Sequence, residues 1–204
     1  MPLYNVEHSY PLTGEQKAEL AERITRLHSR TFTTPSIFVQ VKFYSHDASA
    51  HNYFVAGKPK EECANRIIGF VRTSASRTKE QFDKLAEQIE DSWYIVVGQR
   101  VEGQTEDDKP QKDMPEKERK AMEIMSVTFI GGYMGREKGF PIPEAGNEGE
   151  WMKANRKQFE RRAELGEEDI KDMLQEVDER EGKSFTPSGL LLLTRVSDLK
   201  SWRA

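Results

Sequence analysis

The residue best suited to chemistry in this 204-residue sequence is Pro2, which directly follows the initiator methionine. Proline is small enough for Met1 to be removed during translation, which would leave a free secondary amine at the start of the chain. An α-amino group has a reference pKa of about 7.7–8.0, and burial or nearby cations lower that pKa towards neutrality. Such a base suits proton transfer. The alternative is that Met-Pro is a common start without a chemical role.

Further candidates are a histidine in an expected helix and two arginines after an expected strand. His28 lies near the border of the helix's apolar stripe, where a half-buried side chain is the ordinary interpretation. Arg72 and Arg77 stay charged, and surface charge is the ordinary interpretation for each when taken alone. His46 and His51 lack metal-ligand spacing and are interpreted as loop residues, so no metal site is expected.

Composition limits the classes of function. The formal net charge is −4, which gives no basic surface for nucleic acid. A single cysteine, Cys63, excludes an internal disulfide framework and is typical of a reducing compartment. The N-terminus has no signal-peptide pattern, and the longest aliphatic run, Leu190 to Leu193, is too short to cross a bilayer. We therefore expect a cytoplasmic protein with no membrane partner.

Periodicity predicts the elements that would position these residues. In chain order we expect a strand at 3–8, a helix at 14–30, a strand at 37–44, a strand at 66–72, a helix at 78–97 and a strand at 121–130. Thr13 and Gln16 form a capping box at the start of the first helix. Residues 93–97, read locally, could be a strand, but the spacing of the preceding apolar residues favours helix. The pattern is an internal βαβ repeat.

Residues outside the repeat are polar or helical. Residues 99–120 are charge-rich and predict a solvent-exposed insertion within a domain at 1–155. Residues 156–204 predict a mostly helical C-terminal extension, with helices ending at Gly166 and Gly182. The strand at 66–72 is apolar on both faces, which predicts a helix against one face and a second subunit against the other.

The order of these residues resembles the tautomerase superfamily, in particular its cis-3-chloroacrylic acid dehalogenase-like branch. The resemblance covers about residues 1–155. It includes Pro2 before a strand, the helix segment Ile24-Thr25-Arg26-Leu27-His28, and Arg72 and Arg77 after the third strand. Its most specific part is the segment Glu137-Lys138-Gly139, which continues through Pro143 and Gly146 to Glu148-Gly149-Glu150-Trp151.

The resemblance implies an α+β tautomerase fold of two βαβ repeats that assembles as a homotrimer and needs no cofactor. It implies that Pro2 is the general acid or base, and that His28, Arg72 and Arg77 bind the substrate carboxylate. It implies that Glu137 activates water. For Glu137 the residues alone allow a different interpretation, because a helix is expected to start just beyond it and helix starts are generally acidic.

Departures from the family pattern limit the specific reaction. Arg77 follows Arg72 by five positions, which is more than in the family, and the dehalogenases' strand tyrosine has no clear counterpart, since Ser126 or Thr128 occupies that region. We expect an enzyme acting on an enolisable or unsaturated carboxylic acid by tautomerisation, with hydration or dehalogenation as further options. The alternative is a non-catalytic oligomeric scaffold that binds a partner through its C-terminal extension.

Overall fold

The computed structural model describes residues 2–47, 50, 53–60, 64–98, 114–132 and 135–182. The chain divides into two compact units, Met1–Gly149 and Glu150–Ala204. The predicted domain boundary after residue 155 falls inside a helix that begins at Glu148.

The first unit begins with a strand, a helix and a second strand. β1 (Leu3–His8) alternates half-buried and buried residues, as expected for a strand with one face on the core. α1 (Gly14–Phe32) begins at the predicted capping box of Thr13 and Gln16 and is followed by Thr33 in a left-handed conformation. A single 3-10 turn (Ser36–Phe38) then leads into β2 (Gln40–Ser45).

The second half of this unit repeats the same order. After a short hairpin of β3 (Phe54–Val55) and β4 (Lys58–Pro59), β5 (Asn65–Phe70) alternates buried and half-buried residues. α2 (Lys79–Val96) begins at a second capping box, and α3 (Glu116–Met122) precedes β6 (Ile124–Ile130). Two strand-helix-strand repeats therefore follow one another, as the sequence predicts.

The four long strands form one sheet in the order β2-β1-β5-β6. β1 is parallel to β2 and β5 is parallel to β6, which requires the crossover connections that α1 and α2 supply. The central pair, β1 and β5, is antiparallel, with Leu3 opposite Phe70. The start of β1 therefore lies beside the ends of β5 and β6.

The helices contact one another and the same sheet, and their apolar stripes form the core of this unit. Members of this buried cluster include Tyr4, Val6, Leu20, Ile24, Ile67, Leu85, Ile89 and Trp93. Among the described residues of this unit, no helix packs on the opposite face of the sheet, which stays half-buried or exposed at Leu3, Ile68, Phe70 and Ile130.

A short hairpin of β7 (Arg136–Glu137) and β8 (Phe140–Pro141) ends the first unit. α4 (Glu148–Glu164) begins at its last residues, and α5 (Glu168–Arg180) follows in the second unit. Gly166, between these helices, has a φ of 93°, which confirms it as the residue that ends α4. Arg156 donates two hydrogen bonds to Asp178 and so links α4 to α5.

Two predicted elements need comment. Residues 93–96 are helical, as periodicity favoured, because Trp93 is buried and donates a hydrogen bond to the carbonyl of Met122 at 2.7 Å. The prediction of a strand from residue 121 is wrong at its start. Ala121 and Met122 belong to the last turn of α3, with Met122 buried, and the extended strand begins at Ile124. Part of the predicted insertion, Glu116 to Lys120, is therefore helical; its residues 99–113 lie outside the described residues.

Candidate active site

Pro2 lies buried at the edge of the sheet where β1 begins. Its carbonyl accepts a hydrogen bond from the amide of Gln40 at 3.0 Å, which ties it to the start of β2. On the other side, the amide of Val71 donates to the carbonyl of Ile130 at 2.9 Å and continues the β5–β6 pairing by one residue. The antiparallel register thus brings Pro2 and Arg72 to the same edge.

Tyr4 lies two residues after Pro2, on the same face of β1. Its hydroxyl lies 2.7 Å from Nδ1 of His28 in α1, and both side chains are fully buried. His28, which the sequence placed at the border of the apolar stripe, is therefore inside the molecule at this edge.

Burial and two cations keep His28 neutral. Burial first, and then the positive charges of Arg77 and Arg72, lower the pKa of His28 to about 3. Burial also raises the pKa of Tyr4, so its phenol stays protonated. The contact with the Tyr4 hydroxyl engages Nδ1 and leaves Nε2 as the second ring nitrogen of His28. Nε2 is buried and has no hydrogen-bond partner among the described residues.

The two arginines meet on one carboxylate. Arg72 donates to Oε1 of Glu148 at 2.7 Å, and Arg77 donates to the same oxygen. The other oxygen of Glu148 accepts a hydrogen bond from the amide of Gly146 at 2.8 Å. All three charged side chains are at most 10% exposed.

Further contacts fix the arginines in place. Arg72 donates to the carbonyl of Pro143, and Arg77 donates to the carbonyl of Arg72 at 3.4 Å. The turn from Ser74 to Arg77 closes with a backbone hydrogen bond, which is how the longer spacing between the arginines still brings Arg77 back beside Arg72.

Aromatic rings connect the arginines to the histidine. The guanidinium of Arg77 lies over the ring of Phe32 at 4.7 Å, and that ring lies 5.0 Å from His28. Phe82 and Phe129 extend this apolar wall, and Phe129 in turn contacts Tyr4. The polar cluster is thus embedded in hydrophobic surroundings, where charge interactions are strong.

The structure brings three of the predicted site residues together, namely His28, Arg72 and Arg77. They lie at the edge of the sheet where Pro2 precedes β1. The backbone of Glu137 lies in β7, and its side chain is outside the described residues, so its relation to Pro2 stays a prediction. No group of three or more metal-ligating side chains occurs within the described parts of the chain. No described helix is long and apolar enough to cross a membrane.

Sequence reasoning missed the roles of two residues. The sequence pattern places Tyr4 in the first strand and gives it no further role. Because side chains alternate along a strand, its phenol lies on the same face as Pro2. Glu148 was noted only as part of a family segment, although a carboxylate two residues after a glycine with a φ of 95° signals a tight turn with an amide available to it. Neither the partner of Tyr4 nor the arginine partners of Glu148 are encoded locally, since they are 24 and 71 to 76 residues away.

Comparisons with known proteins give three results. Residues 1–156 match the model of a family described as "Putative oxalocrotonate tautomerase enzyme". The crystal structure of N1, a member of the cis-3-chloroacrylic acid dehalogenase family, is 25% identical with a TM-score of 0.51, covering 74% of this chain and 90% of its own. No protein with a curated description matches.

Two other solved structures are similar to lower degrees. The Q0 fused 4-OT wild type symmetric trimer is 18% identical with a TM-score of 0.47, covering 71% of this chain and 98% of its own. The MIF2 protein of Leishmania major is 14% identical with a TM-score of 0.45, covering 70% of this chain and 97% of its own.

Proposed function

We propose that this chain, which belongs to the tautomerase superfamily and to its cis-3-chloroacrylic acid dehalogenase-like branch, uses Pro2 as a general acid or base on an enolisable or unsaturated carboxylic acid. Family membership supports a tautomerase-type activity. The catalytic proline, the carboxylic acid substrate and the absence of a cofactor are the proposal.

The observation that carries this proposal is the buried cluster of His28, Arg72 and Arg77. It lies at the edge of the sheet where Pro2 precedes β1. Arg72 and Arg77 share the single carboxylate of Glu148, so one positive charge remains to attract an anion, and guanidinium matches a carboxylate in geometry. The neutral imidazole of His28 adds a buried polar atom, Nε2, without adding charge.

In the proposed tautomerisation, the carboxylate of an enol acid lies against the arginine side of the cluster. The Pro2 amine takes the proton from the enol oxygen, and the same proton is then delivered to the carbon that becomes the methylene of the keto form. No atom is lost or gained between substrate and product. Fixed positive charge next to the developing enolate supplies the electrostatic part of the rate enhancement.

Hydration or dehalogenation would need more than this. A water molecule must lose a proton as it attacks an unsaturated carbon, and a base must lie within hydrogen-bond reach of that water, roughly 2.6–3.2 Å. Glu137 is the residue that we propose for this role, on the resemblance of its segment to the family pattern.

We further propose that the enzyme is a homotrimer. The helix-free face of the sheet leaves Ile130 exposed and Leu3, Ile68 and Phe70 half-buried in the single chain. An apolar sheet face of this kind is covered in soluble proteins, and a second copy of the chain is the occupant that the symmetric arrangement of two repeats favours.

The alternative is a scaffold that binds a partner through its C-terminal extension. The leucine patch at 190–193 lies outside the described residues. Membership of an enzyme family favours catalysis over this alternative.

The experiment that tests the proposed function is an activity screen of the full chain. Enolpyruvates, haloacrylates and acetylenic acids are offered without added cofactor, and ketonisation, halide release and hydration are followed separately. We expect turnover of at least one class. A chain with confirmed loss of Met1 that turns over none of them contradicts the enzyme and supports the scaffold.

A further inference from the structure

We propose that Glu148 is a positioning residue that sets the charge of the substrate, so that the site takes a monocarboxylate in preference to a dicarboxylate. This inference rests on the proposed function, because it concerns the carboxylate that the arginines would bind. Neither the family model nor the similar structures, as they are described, assign a role to Glu148.

The first step is the charge of the cluster. Arg72 and Arg77 are both positive, and Glu148 offsets one of these charges through direct ion pairs with both. His28 is neutral, because burial and the same arginines lower its pKa to about 3. With the Pro2 amine in its neutral, proton-accepting form, the charged side chains described in this cluster leave one net positive charge.

The second step concerns the free-energy cost of burying a charge that has no compensating charge beside it. Inside a protein an uncompensated charge is expensive, since water no longer screens or solvates it. One carboxylate would neutralise the cluster, whereas a substrate with two carboxylates near the arginines would leave an excess negative charge. The cluster therefore favours a monoanion.

The third step is geometry. Glu148 accepts from both arginines on Oε1, while its other oxygen is anchored to the amide of Gly146. Arg72 also donates a hydrogen bond to the carbonyl of Pro143, and the guanidinium of Arg77 lies over the ring of Phe32. Glu148 thus both offsets one of the two positive charges and fixes the positions of the guanidinium groups relative to His28.

The test is equilibrium binding of two unreactive four-carbon acids, butyrate and succinate, to the full chain by calorimetry. Glu148→Gln keeps the shape of the side chain and removes its negative charge. We expect the succinate-to-butyrate affinity ratio to rise about tenfold or more in this variant, because each additional substrate charge gains from the added positive charge.

The matched control is Glu150→Gln, which removes the same charge two residues further along α4. Glu150 is exposed and pairs only at the surface with Lys153. Its substitution is expected to leave the affinity ratio within about twofold of wild type, because surface pairs are screened by solvent.

The outcomes are distinguishable from failure of the proposed function. Wild-type chain that binds neither acid contradicts the carboxylate site itself, and with it both proposals. Wild-type chain that binds butyrate, with an unchanged ratio in Glu148→Gln, overturns only the role of Glu148. An equal loss of affinity for butyrate and succinate in that variant also overturns the role of Glu148, since the loss of a merely structural residue would weaken the binding of both acids alike.

Glu148→Gln leaves two buried arginines without their carboxylate and could prevent folding. The double variant Arg77→Gln with Glu148→Gln restores one net positive charge and leaves one arginine, rather than two, without its carboxylate. For this variant we expect the wild-type affinity ratio, within about threefold. A tenfold change in that ratio, at retained folding, would overturn charge as the determinant.

Discussion

The hydroxyl of Tyr4 lies 2.7 Å from Nδ1 of His28, and both side chains are fully buried. Tyr4 belongs to the strand that follows Pro2, whereas His28 belongs to the first helix. This hydrogen bond fixes the orientation of the imidazole and leaves Nε2 as its second ring nitrogen. The histidine is therefore a neutral ring with a defined orientation beside two buried cations.

We predict that Tyr4→Phe lowers kcat/KM about tenfold while the fold is retained. The ring still fills its place, but Nδ1 of His28 loses its hydrogen-bond partner, and the orientation of the imidazole is no longer fixed. The lost hydrogen bond is expected to destabilise the fold by about 1–2 kcal/mol, measured by urea unfolding. Tyr44→Phe makes the same chemical change at an exposed site and should change neither quantity. Unchanged kinetics in Tyr4→Phe would contradict this role for Tyr4.

His28 also predicts a pH dependence of stability. Its pKa is about 3 in the folded chain, against about 6.5 when unfolded, so the unfolded state binds one more proton between these values. Stability therefore falls as pH decreases from about 6.5, by about 1.4 kcal/mol per pH unit.

The comparison of wild type with His28→Gln isolates this effect. Burial lowers the pKa of His8 as well, but His8 contributes equally to both proteins. Between about pH 7 and about pH 5, we expect wild type to lose about 2 kcal/mol more of its unfolding free energy than the variant. Parallel pH profiles of the two proteins would show that His28 titrates normally in the folded state.

The fold was largely predictable because its determinants are local. The alternating residues of β1 and the capping box at Thr13 lie within a few positions of one another, and both are confirmed. The start of β6 was not predictable from local pattern, because Ala121 and Met122 suit either element. Burial of Met122, whose carbonyl accepts the hydrogen bond from Trp93, decides for helix there.

The site was only partly predictable, for the opposite reason. The family resemblance named His28, Arg72 and Arg77, and the structure places all three in one cluster. The pairing of both arginines with Glu148 depends on contacts more than 70 residues apart in the chain. No periodicity or spacing indicates such a pairing, and only the three-dimensional arrangement reveals it.

The proposed trimer gives a further prediction. The wild-type chain should have three times its mass of 23.5 kDa by light scattering. Ile130→Glu should yield folded monomers, because it puts a charge on the helix-free face of the sheet, where a second copy would pack. Leu165→Glu, at another exposed apolar residue, serves as the control and should remain trimeric. Wild-type protein that is monomeric at micromolar concentration would rule out the proposed trimer.

Glu137→Gln separates the two proposed reaction types. Tautomerisation needs no base to deprotonate a water molecule, so its rate should stay within about tenfold of wild type in this variant. Hydration or dehalogenation should fall by about a hundredfold or more, which is the usual contribution of one general base. Both are measured as initial rates on the same preparation. Loss of tautomerisation alone would mean that Glu137, rather than Pro2, handles the proton at carbon.

The central claim is that the amine of Pro2 moves the proton, and the most direct measurement compares two forms of the same chain. One form has lost Met1, confirmed by mass spectrometry, and the other retains Met1, so that the nitrogen of Pro2 is an amide without basicity. We predict that kcat/KM for enol ketonisation is lower by about a hundredfold or more when Met1 is retained. Equal rates for the two forms would contradict catalysis by Pro2.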